Sequence, residues 1–276
     1  MYRQVKQFTV RMIAGANVAT LVILLLVGYS DRLNPVDFPM LSNVGLLFPV
    51  FLLINFVFLC FWLLFKKRFV LIPFFGFVVC YFPIREYMPL NFGGEPPKDA
   101  IKVLSYNTWG FAQGEYDSDG INPIVRYVKQ QNADIVCLQE AGYGGSIAEQ
   151  IDTLLRPIYS YCDTIHHPDG GDVLALFSKF PIISRERIPY PSVGNLSVAY
   201  QLKIGKDKVL LINNHLETTG LTLEERAQFK QLIKGKLETD TAEQTSKLLV
   251  VKLGESTRKR APQAEAVARY IKQHDK

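Results

Sequence analysis

The sequence predicts an α/β protein: N-terminal transmembrane helices followed by an incomplete two-layer mixed β-sandwich with flanking helices. Three observations lead there. Apolar residues crowd into the first third as long runs with few or no charges. Beyond about residue 99, short apolar segments of strand character alternate with segments of helical spacing. Three short blocks, Ser105-Tyr106-Asn107-Thr108-Trp109-Gly110, Leu138-Gln139-Glu140 and Asn213-Asn214-His215-Leu216, each close one of those apolar segments.

The first third divides into three runs. Residues 12–29 are apolar except for Asn17 and Thr20, residues 44–65 except for Asn55, and residues 69–84 carry no charge. A helix needs about 20 apolar residues to cross the hydrocarbon core. The second run meets this and the first just does, while the third is short and contains Pro73 and Pro83. Arg3, Lys6 and Arg11 precede the first run, as in a signal peptide, but Tyr29-Ser30-Asp31-Arg32 is a poor cleavage site. The run reads as a retained anchor. Basic residues cluster before the first run and at Lys66-Lys67-Arg68, whereas the first loop holds only Arg32 beside Asp31 and Asp37. By the positive-inside rule both clusters are cytoplasmic. Three crossings then deliver the rest of the chain to the outer side; a re-entrant third run would reverse this. The expected setting is a multi-pass protein of the cytoplasmic membrane with a periplasmic soluble domain. Asn17 and Asn55 suit hydrogen bonds between helices.

Residues 89–99, with Gly93-Gly94 and Pro96-Pro97, read as a linker between a membrane region (1–88) and a soluble domain (100–276). Within that domain, 101–106 reads as a strand. Asn122 is an N-cap before a helix over 123–131, and 135–138 is a second strand. Residues 146–155 have helical spacing and 173–177 form a further strand. Residues 196–204 and 209–213 form a hairpin around Gly205-Lys206-Asp207. Helices follow from about Leu223 and over 261–273.

The charge is as uneven as the hydropathy. From Asp99 onward 22 basic residues balance 22 acidic ones, and the net charge of +5 lies wholly in the first 98 residues, among 9 basic and 4 acidic. The excess flanks apolar runs, so it speaks of topology. A neutral domain argues mildly against long nucleic acid, which needs a basic face. The four cysteines form no disulfide framework. Cys60, Cys80 and Cys137 sit in apolar segments and Cys162 is the one expected near the surface.

The chemistry-bearing candidates stand at strand ends. Glu140 follows an apolar strand, where a carboxylate at the sheet rim suits Mg²⁺ with its preference for oxygen ligands and water; an exposed rim glutamate is the alternative. Asn107 can offer an oxygen to a metal or an N–H to a phosphate, or simply form a turn before Gly110. Asn213 and His215 share one face of a strand, which suits a phosphate contact or a proton donor. A satisfied strand-end histidine is the plainer reading.

In order, these blocks resemble the endonuclease/exonuclease/phosphatase superfamily, the group of deoxyribonuclease I-like enzymes. Leu104-Ser105-Tyr106-Asn107, Leu138-Gln139-Glu140, Ser178-Lys179-Phe180-Pro181 and Asn213-Asn214-His215-Leu216 match its successive motifs. The resemblance implies a Mg²⁺-dependent hydrolase of phosphodiester or phosphomonoester bonds, with Mn²⁺ as the alternative ion. It implies Glu140 as a metal ligand, Asn107 holding metal or phosphate, and His215 with Asn213 as catalytic residues, His215 bonding the phosphate or protonating the leaving oxygen. The family's later Gly-Asp-x-Asn and Ser-Asp-His motifs do not occur. The expectation is therefore the N-terminal part of such an enzyme, inactive as it stands. The expected partners are the lipid bilayer and a phosphoester, whether nucleic acid, phospholipid head group or small molecule. No obligate protein partner is implied. A lipid or sugar phosphatase on the same half-site, and a non-catalytic membrane-tethered interaction module, are the rival readings.

Overall fold

The computed structural model describes residues 2–274. In chain order the helices are α1 (Tyr2–Gly28), α2 (Phe48–Phe65), α3 (Leu71–Val79), α4 (Tyr81–Tyr87), α5 (Trp109–Gln113), α6 (Pro123–Gln131), α7 (Gly145–Gln150), α8 (Leu223–Ile233) and α9 (Thr239–His274). The strands are β1 (Val103–Asn107), β2 (Ile135–Gln139), β3 (Tyr161–His166), β4 (Val173–Ser178), β5 (Ile182–Ile188), β6 (Leu196–Ile204) and β7 (Asp207–His215). They form two compact units, Met1–Gly94 with Thr219–Ala261, and Glu95–Thr218 with Pro262–Lys276.

In the first unit, two helical stretches are long and apolar enough to cross a membrane, Tyr2–Arg32 and Leu41–Phe65. The third apolar run breaks into α3 and α4, bent by 63°. Pro83 accounts for the break. It has no N–H for the carbonyl four residues back, that of Val79, and its ring crowds that oxygen. The Tyr29 hydroxyl donates to the same carbonyl from α1 at 2.5 Å. Despite its bend the pair runs back along the whole of α2. Phe69 packs on Trp62 near the end of α2 with ring centroids 4.8 Å apart, and Tyr87 meets Phe48 at its start, 5.9 Å away and edge-on.

The buried polar groups of these helices satisfy one another. Asn17 Nδ2 donates to Asn55 Oδ1 (3.2 Å), and Trp62 Nε1 donates to Asn17 Oδ1 (3.0 Å). Asn55 Nδ2 reaches the carbonyls of Thr20 and Phe51. Both asparagines are fully buried, so the interhelical role read from sequence is the one they fill. Cys60 differs from expectation: it lies on the outer surface of α2, and Cys162 is only half-exposed. Burial in β2 pushes the Cys137 thiol up to about 12, which keeps it protonated and inert.

Residues 219–261 depart from the expected division, because they pack in this first unit and not with the sheets. A Cβ at Gly254 would lie 3.4 Å from the Pro39 carbonyl oxygen, and Thr257 Oγ1 donates to Asn43 Oδ1 (3.1 Å). A bulkier residue at 254 would hold the helix off that loop. The final helix is accordingly far longer than the segment 261–273 seen in the sequence, running from Thr239 through Pro262 to His274.

The second unit is a layered α/β sandwich. One sheet has the order β1-β2-β4-β3, with β1 and β2 parallel and the rest antiparallel; the other is β5-β6-β7, all antiparallel. The period of two along β2 sorts its side chains between two cores. Ile135 and Cys137, with Leu174 and Leu176 of β4, pack against Leu196, Val198, Tyr200 and Leu202 of the second sheet. Val136 and Leu138, with Ala175 and Phe177, face Val125 and Val128 of α6 and Ile147, Ile151 and Leu155. The last turns of α9 cover the second sheet's outer face through Ala266 and Val267. Asn122 caps α6 as expected, accepting from Ile124 N and Val125 N. The expected helix over 146–155 is α7 followed by a wider π-helical turn, Ile151–Leu155.

Gly76 marks the closest approach in the first unit: a Cβ there would lie 2.1 Å from Leu21 Cδ1, whereas one at Gly15 would meet nothing within 4 Å. Gly76→Val is expected to cost about 1–3 kcal/mol through overpacking and to lower the melting temperature in detergent. Gly15→Val is the control that should leave it in place.

Candidate active site

Three strand ends and two strand starts meet at one rim of the sandwich. Parallel pairing of β1 with β2 sets Asn107 beside Gln139, so Asn107 and Glu140 emerge together. Asn107 Nδ2 donates to Glu140 Oε1 at 2.9 Å. His215, at the end of β7, brings Nε2 to 3.5 Å from Asn107 Nδ2 and 3.6 Å from Glu140 Oε1. Sequence analysis selected these three residues, and the fold brings them together. Glu140 and His215 border a cavity of about 480 Å³ that Gly110, Asp172 and Asn195 also help to line.

Asn213 has another place. It is 1% exposed and lies between the sheets. Its amide donates to the Leu138 and Ala175 carbonyls, while its oxygen accepts from Gln139 Nε2 at 2.7 Å. It anchors β7, and through it His215, to the first sheet, and it does not line the cavity.

Asp172 was missing from the sequence reading and is central to the geometry. Its side chain is 4% exposed and its Oδ2 lies 2.6 Å from His215 Nδ1. Its Oδ1 accepts from Glu140 N (3.0 Å) and Val173 N (2.8 Å). A carboxylate so placed fixes the ring proton on Nδ1 and turns Nε2 toward Asn107 and Glu140. The Asp172 hydrogen bond raises the His215 pKa above its ordinary value. Burial opposes this, and the charges of Asp172, Glu140 and Glu217 add to it. Asn195, also overlooked, approaches His215 Nδ1 at 3.0 Å. The signal for Asp172 was its position after the breaker Gly170-Gly171 and directly before an apolar strand.

The backbone around the site is strained. Glu140 has φ 49°, and Trp109, Gly110, Phe111, Ala112 and Gln113 form a left-handed turn with φ between 48° and 61°. Each L-residue held so costs about 1–2 kcal/mol. The turn is secured on both sides: Trp109 N donates to Asn107 Oδ1 (3.0 Å), Gly110 N to the Glu140 carbonyl (2.9 Å), and Phe111 is fully buried against Tyr143. Across the cavity Gly171 (φ +108°) presses on Gly194, where an added Cβ would lie 2.9 Å from Gly194 Cα. That contact lets Asp172 N donate to the Gly194 carbonyl at 2.8 Å.

The donor set suits a hard divalent cation. Glu140 presents a carboxylate, both contacts to it fall on Oε1, and its side chain is 37% exposed toward solvent, while the Asn107 oxygen accepts from Trp109 N. Among the described residues no group of three or more His, Cys, Asp or Glu side chains could hold a metal.

Residues 104–251 match the Endonuclease/Exonuclease/phosphatase family, and the chain belongs to that family. Residues 10–87 match a second family model, described as a domain of unknown function. No curated protein matches the chain in sequence. Among solved structures, truncated TDP2 of Caenorhabditis elegans is 21% identical, with a TM-score of 0.32 over 49% of this chain and 53% of that one. ANGEL2, a 2',3'-cyclic phosphatase in complex with adenosine-2',3'-vanadate, is 20% identical, with a TM-score of 0.33 over 51% and 50%. TDP2 of D. rerio, complexed with a single-strand DNA product, is 16% identical, with a TM-score of 0.32 over 53% and 64%. The chain thus spans between half and two thirds of the length of these structures.

Two outcomes follow from the geometry. Asp172→Asn is expected to lower the His215 pKa toward about 6.5, read from imidazole shifts in an NMR titration. The same substitution removes a pH dependence of stability. A raised folded pKa contributes stability that is full below the unfolded value and lost as pH rises through the folded one. The melting temperature of the native protein should therefore fall across that window, relative to Asp172→Asn. Gly171→Ala is expected to destabilise by more than about 1 kcal/mol, by denaturant titration. Gly142→Ala is the control, since its Cβ would rest at an ordinary 3.6 Å from Val173 Cγ2.

Proposed function

We propose that this chain carries a metal- and phosphate-binding site of a membrane-anchored, Mg²⁺-dependent hydrolase of phosphodiester or phosphomonoester bonds. The observation that carries the reading is the convergence of Asn107, Glu140 and His215, with His215 Nδ1 held by a buried carboxylate. Family membership supports the same chemistry.

Each residue has a definite task in it. When protonated, His215 presents Nε2–H toward a phosphoryl or leaving oxygen, and Asp172 orients the ring and favours its charged form. The Asn107 amide offers a donor beside it. The rigid turn at Trp109–Gln113 fixes where Asn107 stands, and Gln139 with Asn213 holds the two sheets in register beneath. Glu140 with Asn107 would hold Mg²⁺, or Mn²⁺, and the bound ion would supply Lewis-acid stabilisation of the phosphoryl group.

The membrane setting has its own support. Two helices are long and apolar enough to span, and α3 with α4 starts beside the end of α2 and finishes beside its start. A third crossing by the bent pair explains that path. It would return the chain to the side of the first loop, where Thr257 meets Asn43. The basic clusters support reading that side as the one outside the cytoplasm, in a periplasmic setting.

The test reads binding and turnover separately. Vanadate binding measured by calorimetry should require Mg²⁺, disappear in Glu140→Ala and weaken in His215→Ala. Mg²⁺-dependent hydrolysis of model phosphoesters, wherever it is measured, should fall about 10²–10⁴-fold on loss of His215. Binding indifferent to Mg²⁺ and to both substitutions overturns the reading.

A further inference from the structure

We infer that α8 lies on the membrane surface, its outer face against anionic phospholipid head groups, so that residues 221–236 form an interfacial arm. The inference rests on the membrane reading above and goes beyond it, because α8 belongs to the stretch between the family motifs and the last helix, not to the apolar spans.

The face itself is the first observation. Glu225, Gln228 and Leu232 repeat at helical spacing and are half-buried, whereas Leu223, Arg226, Phe229, Lys230, Ile233 and Lys234 are exposed. Leu223 is 75% and Ile233 69% exposed. An i, i+3, i+4 pattern that mixes large apolar side chains with cations does not suit water alone. It suits an interface that is apolar below and negatively charged above, where aliphatic stems and aromatic rings sink while basic heads remain at phosphate level.

Placement is the second observation and is independent of the first. Glu225, in the first turn of α8, is bound by Lys252 of α9, which also donates to the Gly220 carbonyl (3.3 Å). Two residues further along α9, Gly254 rests against Pro39, and at Thr257 the helix bonds to Asn43. Pro39 lies in the loop between the two spanning stretches and Asn43 at the start of the second, hence at the lipid boundary. That loop carries its own exposed Phe38 and Met40. The spans, the loop and α8 belong to the same compact unit. The cations complement anionic head groups, which a protein partner of unspecified chemistry would not explain.

The experiment uses the full chain in nanodiscs, in a background carrying Cys60→Ala and Cys162→Ser. Phe229→Cys or Ile233→Cys bears an environment-sensitive fluorophore, and Lys259→Cys serves as reference. In discs of phosphatidylcholine with phosphatidylglycerol, both arm positions should show blue-shifted emission and quenching by lipid-borne quenchers. The shift should shrink in pure phosphatidylcholine and on combining Arg226→Glu, Lys230→Glu and Lys234→Glu. Incorporation of the chain into discs with a fully hydrated arm overturns this inference and leaves the membrane reading standing. Failure of the chain to incorporate at all overturns both. Blue-shifted emission that depends on protein concentration and not on lipid composition assigns the face to a second copy and overturns the lipid assignment.

Discussion

The buried carboxylate of Asp172 is the constraint on which the site depends. One oxygen receives the backbone N–H groups of Glu140 and Val173, the other faces His215 Nδ1, and its own N–H reaches the Gly194 carbonyl. It therefore connects β2, β4 and the start of β6 with the end of β7. A charge this deep is tolerated only when its lone pairs are filled, and here two amides and an imidazole fill them. Gly171 makes the approach to Gly194 feasible, since a side chain at 171 would separate the loops. Position and electrostatics are thus one arrangement: the group that sets the ring's orientation also favours its charged form.

Strain is concentrated at the same rim. Glu140 and the turn after Asn107 occupy the left-handed region, and the hydrogen bond from Gly110 to the Glu140 carbonyl joins the two strained segments. A relaxed backbone at either point would aim the Asn107 amide or the Glu140 carboxylate elsewhere. The fold offsets this cost through Phe111, fully buried in the core over α6 and α7. Strain retained at a place where strand ends converge is the pattern expected where geometry serves chemistry.

Much of this was legible in the sequence, and the boundary of legibility is physical. Apolar runs mark buried strands, so β2, β4, β6 and most of β7 stood out. The capped, amphipathic α6 was matched to its limits. β3 and β5 were not, because Tyr161–His166 and Ile182–Ile188 are half-exposed and read Tyr-Cys-Asp-Thr-Ile-His and Ile-Ile-Ser-Arg-Glu-Arg-Ile. The site was half visible for a related reason. Asn107, Glu140 and His215 end strands and carry motif context. Asp172 and Asn195 precede strands, and only antiparallel pairing brings a strand's start to the rim where its neighbour ends. Asn213 shows the converse. Sharing a face with His215 was correctly inferred, yet that face turns inward one pleat earlier, and the residue bonds the sheets together.

The first unit shows how local chemistry shapes a helix that composition leaves undefined. Residues 69–84 carry two prolines and are short for a span, so hydropathy could not separate a crossing from a re-entrant turn. Pro83 breaks the hydrogen bond to Val79, and the helix bends there. The Tyr29 hydroxyl takes the released carbonyl, so the bend leaves that group satisfied in an apolar setting. Beyond the bend the helix continues to Tyr87, which extends the path past the last apolar residue and brings it to Phe48. The pair therefore starts beside one end of α2 and finishes beside the other, and the kink leaves the Val79 carbonyl satisfied by the Tyr29 hydroxyl.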